Sequence, residues 1–231
     1  MQVLSLRNGF LALTFTAIAS AGGLITGCTN TASQNQSEAP KVTATNTNDK
    51  QQMMNHGGMN HSMAMDLGPA DANFDLRFID GMTPHHQGAV EMANVAQDKS
   101  KRPEIKKLAD EIIKSQNQEI AQMKQWRQAW YPSAGNKPMA YNSKTGQMME
   151  MSSDQMKTMM MNQGLGAADA EFDLRFINAM IPHHEAAVTM AKDALSKSKR
   201  PEVKKLAQEI IKAQDTEIKQ MQQWRKTWYN K

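Results

Sequence analysis

Four of the six histidines stand in two adjacent pairs, His85-His86 and His183-His184. Each pair directly follows a proline, and each follows a methionine, Met82 or Met180, by three and four residues. Those spacings lie on one side of a helix, so each thioether can share a face with either imidazole. Thioether and imidazole without thiolate favour copper, Cu(I) above all, because zinc and iron sites draw on cysteine or several carboxylates. Cu(II) stays open, and silver would mimic Cu(I).

Donors across the helical connection follow from simple reflection. Folding the chain back about residue 101 sets His86 level with about residue 116 and Met82 level with about residue 120. Glu119 and Met123 fall within one turn of that height, as do Glu217 and Met221 beside the second pair. Met92 and Met190 lie further along the same stripes. A methionine on an inward stripe packs as readily as it ligates, so both readings stand for Met92, Met123, Met190 and Met221. Glu119 and Glu217 are either direct ligands or carboxylates that orient the imidazoles. The tryptophans Trp126, Trp130, Trp224 and Trp228 read as core.

A separate group, Met53, Met54, His56, Met59, His61, Met63 and Met65, has no helical period and sits among Gly and Asn. Its bland reading is a disordered tail. Methionine and histidine are unusual choices for such a tail, which favours an auxiliary metal-capturing arm. Met148, Met149 and Met151 are candidates of the same kind.

The elements that must position these residues occur twice. With an offset of 98, residues 75–131 and 173–229 are identical at 38 of 57 positions. In each copy a stripe such as Phe78, Met82, His85, Ala89, Met92 and Ala96 marks one inward helix face. Pro84 removes a backbone donor and should kink that helix or start a new segment. A second stripe runs through Ile105, Leu108, Ile112, Glu119, Met123, Trp126 and Trp130. Pro103 and Glu104 suit its start. The short connection through Arg102 makes the two helices antiparallel neighbours. The expected fold is therefore all-α, a duplicated antiparallel hairpin forming a four-helix bundle. Met156, Met159 and Met160 suggest one more short helix, over 152–162, ending at Gly164.

The remaining segments bound the class of protein. Arg7, an apolar stretch from Phe10 to Ile25 and then Ile25-Thr26-Gly27-Cys28 read as a lipoprotein-type signal peptide over 1–27, with Cys28 the lipidated residue. The plainer alternative is ordinary cleavage near Ala21. Cys28 is the only cysteine, so no disulfide framework is possible. Residues 28–52 read as a disordered tether. The first repeat is set at 53–131, a linker at 132–150 and the second repeat at 151–231. The formal net charge of +4 is spread along the helices and does not suggest nucleic acid. The reading is an exported protein of the periplasm or cell envelope, held at a membrane by a lipid anchor rather than by a spanning helix.

The motif M-x-P-H-H-x-x-A-V-x-M-A, followed by L-A-x-E-I-I-x-x-Q-x-x-E-I-x-x-M-x-x-W, resembles a ferritin-like Met/His-rich family formerly of unknown function. Its members include periplasmic copper-binding proteins of the CopM type. The resemblance implies a helical bundle, copper binding and a part in copper tolerance. It carries over to Met82, His85, His86 and Met92, and to Met180, His183, His184 and Met190. The leading expectation is a non-enzymatic protein that sequesters copper or shuttles it to an export or delivery partner. A ferritin-like metal-dependent oxidase is one alternative, although no Glu precedes any histidine by three as di-iron sites require. A helical lipoprotein that docks a partner is the other.

Overall fold

The computed structural model describes residues 64–161 and 164–231. The signal segment, Cys28, the tether and the arm residues Met53, Met54, His56, Met59, His61 and Met63 lie outside them. The described chain is mostly helical. In order it forms α1 (Phe74–Lys99), α2 (Pro103–Trp130), β1 (Met139–Asn142), β2 (Gln147–Glu150), α3 (Ser153–Met160), α4 (Phe172–Lys197) and α5 (Pro201–Tyr229). No helix among the described residues is long and apolar enough to cross a membrane.

Local sequence explains where the long helices begin and end. The Asp71 carboxylate accepts the Asn73 amide at 2.9 Å, and Asp169 accepts the Glu171 amide at 3.0 Å, turning the chain into α1 and α4. Pro103 and Pro201 open α2 and α5, where a missing backbone donor costs nothing. Contrary to one expectation, α1 runs unbroken through Pro84, and α4 through Pro182. Both helices are sealed by neighbours on two sides, and that packing offsets the lost intrahelical bond.

The packing follows the stripes. Phe78, Met82, His85, Ala89, Met92 and Ala96 are all buried, as are Ile105, Leu108, Ile112 and Met123. α1 packs on α2 and α4 packs on α5, while α1 also packs on α4. The α1–α4 pair is antiparallel. His85 meets His183 at its middle, Ser100 Oγ donates to Asp173 Oδ1 at 2.6 Å at one end, and Arg200 Nε lies 3.5 Å from Asp75 Oδ2 at the other.

Three features depart from the sequence reading. The segment expected to be a linker over 132–150 contains the antiparallel pair β1–β2, so the chain is not purely α. Arg127 and Asp80 fix that hairpin to the helices. Asp80 accepts from Arg127 Nε at 2.5 Å and from the Met139 amide at 2.8 Å, and Arg127 donates to the Gly135 and Lys137 carbonyls. Burial pushes the Asp80 carboxyl up, with Arg127 and the Met139 amide pulling the other way. The tryptophans are not interior. Trp126 stacks on Trp130, and Trp224 on Trp228, both with centroids 5.0 Å apart, half-buried at the surface. The guanidinium of Arg200 lies 4.1 Å from the Trp130 ring and that of Arg102 lies 4.3 Å from Trp228, tying each hairpin to the other. Finally, α3 is shorter than expected and closes on Met161 at a φ of 45°. Ser152 and Gln155 form its capping box.

Candidate metal centre

α1 and α4 each deliver their histidine pair to the point where the two helices cross. Adjacent residues on a helix point about 100° apart, so one imidazole of each pair faces the other repeat and one faces its own hairpin partner. His85 and His183 face each other with ring centroids 3.8 Å apart. His86 and His184 turn toward α2 and α5. His86 Nε2 lies 2.6 Å from Glu119 Oε2, and His184 Nε2 lies 2.6 Å from Glu217 Oε2. All four imidazoles are buried, 0 or 1% exposed. The two copies therefore bring their histidine pairs together where α1 and α4 cross. Nothing within one copy specifies the face on which the other docks.

Five ring nitrogens have no hydrogen-bond partner: His85 Nδ1 and Nε2, and the Nδ1 atoms of His86, His183 and His184. A carboxylate oxygen accepts, so Nε2 of His86 and His184 donates to it and their Nδ1 atoms face no partner. His183 Nε2 lies 3.2 Å from the Met160 carbonyl, which leaves its Nδ1 bare in the same way. Burial holds His85 well below the ordinary imidazole range, and the neighbouring imidazoles act in the same direction. Burial likewise lowers His183 to about 3, helped by His184 and His86 and opposed by the Met160 carbonyl. His85 and His183 are therefore held neutral at pH 7. Unpaired buried lone pairs are costly, and metal coordination is one way to satisfy them.

Among the described residues no three His, Cys, Asp or Glu side chains form a group that could hold a metal ion. A site here must draw on thioethers. Six are at hand and all are buried, Met82, Met92, Met123, Met180, Met190 and Met221. They divide across the copies. Met82 and Met123 of the first copy share an apolar cluster with Met190 of the second. Met180 and Met221 share the other with Met92. The second methionine of each motif thus sits with the other copy's first. Thr83 Oγ1 also reaches Met123 Sδ at 4.0 Å.

Glu119 and Glu217 are partly exposed, at 16% and 15%, and bond the outer nitrogens of their histidines. Glu119 also lines an open groove of about 590 Å³ together with Gln118, Gln122 and Glu209, so solvent reaches the carboxylate. Sequence reasoning passed over Gln116 and Gln214. Both are buried, with Oε1 unpartnered, and their signal was a place four residues after the inward Ile112 and Ile210.

The motif of the first copy carries glycines where the second carries alanines, and both serve neighbours. A Cβ on Gly88 would collide with the Met160 carbonyl, so α3 rests directly on α1 backbone. A Cβ on Gly81 would sit 3.2 Å from Met65 Sδ. Met65, expected to be part of a free arm, is packed against the helix. Met148 and Met149 lie on β2, half-buried, and Met151 is buried beside it.

A helical protein with unpaired imidazoles and thioethers enclosed between its hairpins is the class that this geometry defines. Residues 25–126 and 75–225 each match the family described as Domain of unknown function (DUF305), and the chain belongs to it. Among solved structures, CopM in the Cu(I)-bound form is 41% identical, with a TM-score of 0.51, covering 67% of this chain and 97% of that one. The Cu(II)-bound form of CopM is 42% identical with a TM-score of 0.54, and the silver-bound form obtained by soaking is 39% identical with 0.53, both at the same coverage. Uncharacterized protein L153 of Acanthamoeba polyphaga mimivirus is 45% identical over 49 residues, which is 21% of this chain and 32% of that relative. The chain thus matches about a third of that relative's length.

Proposed function

We propose that this chain binds copper, principally as Cu(I), and sequesters or shuttles it in copper homeostasis or tolerance. The observation that carries the reading is the buried approach of His85 and His183, ring centroids 3.8 Å apart across the two copies, with both nitrogens of His85 and Nδ1 of His183 unpartnered. Neutral imidazole and thioether are the donors Cu(I) and silver prefer, and the similar CopM structures hold Cu(I), Cu(II) and silver. His85, His86, His183 and His184 supply nitrogen. Met82, Met123 and Met190, with Met92, Met180 and Met221, supply sulfur. Glu119 and Glu217 fix the tautomer and orientation of the outer imidazoles from behind, as carboxylates do behind metal-bound histidines.

In this reading the long helices make a ferritin-like four-helix bundle of duplicated hairpins around the ion, which is cargo and not the seat of a reaction. Cys28 anchors the chain by lipid at the cell envelope, and a copper-export or delivery partner receives the ion. Competition of the full chain against a Cu(I) chelator tests the binding. The expected result is Cu(I) retention that disappears when all four paired histidines are changed to alanine. Equal retention by the two proteins would overturn the reading.

A further inference from the structure

Away from the histidines, an open cavity of about 560 Å³ is lined by Met65, Met151 and Met159. Its walls come from three parts of the chain, and each is held in place. The segment carrying Met65 is pinned by the fully buried Arg77, whose Nε donates to the Leu67 carbonyl at 2.6 Å and whose Nη2 donates to the Pro69 carbonyl at 2.8 Å. Met151 is fixed by its own amide, which donates to the Pro138 carbonyl at 2.7 Å. Met159 stands on α3, capped at one end and seated on Gly88 at the other.

We propose that this cavity is a second site for a soft monovalent cation, Cu(I) or Ag(I), built from thioethers alone and filled independently of the histidines. Three observations support it. Three methionines from separate parts of the chain border one open volume that the packing leaves unfilled. α1 gives up a Cβ at Gly81, where α4 has Ala179, and a Cβ there would crowd the Met65 sulfur. The carboxylates of Asp66 and Asp154 share the lining and supply negative charge without a nitrogen donor. Such a donor set favours a soft monovalent ion over Cu(II). This proposal extends the copper reading to residues that the histidines do not touch.

The test is native mass spectrometry of the full chain titrated with Ag(I), comparing wild type with a Met65→Leu, Met151→Leu, Met159→Leu variant of nearly unchanged volume. The expected result is the loss of one Ag(I) with the Cu(II) count unchanged. An unchanged Ag(I) count would overturn it. Should the variant lose helicity, methyl-13C methionine NMR of the wild type decides, with single Met→Leu changes for assignment. The three methyl signals shift together on Ag(I) addition if the site exists, and their failure to shift sinks it. In the four-histidine alanine variant the same three signals still respond. That outcome separates a failure of the histidine reading from a failure of this one.

Discussion

His85 of the first copy and His183 of the second lie ring against ring, with centroids 3.8 Å apart, and His85 has no hydrogen-bond partner at either nitrogen. A fold selected for stability alone would not bury such a pair. Each unpaired buried polar group costs on the order of 1–3 kcal/mol.

Replacing His85 with leucine should therefore have opposite effects on the two properties. The metal-free protein becomes more stable, by about 1–3 kcal/mol in urea denaturation, while Cu(I) retention against a chelator falls. A variant both less stable and equally retentive would contradict the assignment.

Glu119→Gln and Glu217→Gln keep the size of the side chain but remove the acceptor-only carboxylate behind each outer imidazole. Each change should weaken copper binding about 10- to 100-fold with helicity intact. Chelator competition measures the loss. Unaltered affinity would show that the 2.6 Å contacts orient nothing that copper needs.

Acid should destabilise the metal-free protein. His183 titrates at about 3 in the fold against an ordinary value of 6.5, and His85 is depressed in the same direction. The unfolded chain takes up protons below 6.5 while the folded chain refuses them. The contribution to stability is complete above that value and is lost progressively as pH falls from 6.5 toward 3. Thermal midpoints across this window should fall more steeply for wild type than for His183→Gln.

Gly88→Ala sets a methyl group against the Met160 carbonyl, which also partners His183 Nε2. α3 must move, at a cost of about 1–3 kcal/mol typical of overpacking. Ala186→Gly, the mirror change in α4, should cost only about 0.5–1 kcal/mol. Equal losses in denaturation would show that α3 does not bear on α1 as described.

The faces of the helices were legible in the sequence because burial repeats every three to four residues. Phe78 through Ala96 and Ile105 through Met123 were read from that period. The proximity of Glu119 to His86 followed from the short connection at residue 101, which leaves an antiparallel hairpin little freedom of register. What was not legible is how the copies meet. Two hairpins can dock on several faces, and the Met82, Met123 and Met190 grouping exists only after one is chosen. The β1–β2 hairpin was missed because strands of four residues carry too few alternations to register. The tryptophans were misread because their size suggests interior positions, whereas Trp130 and Trp228 instead cover arginines from the opposite hairpin. Of the two outcomes expected at Pro84, a kink or a new segment, the new segment does not occur, because packing on α2 and α4 supports the helix across the missing bond.

The reach of one lysine has a consequence for how the molecule comes together. Lys197 Nζ donates to the Gly68 carbonyl at 3.1 Å, joining residues 129 apart in sequence. Closing a loop of that length costs more chain entropy than closing either local hairpin. The His85–His183 contact likewise spans both copies, so a chain folded only as far as α2 holds half of the histidine cluster.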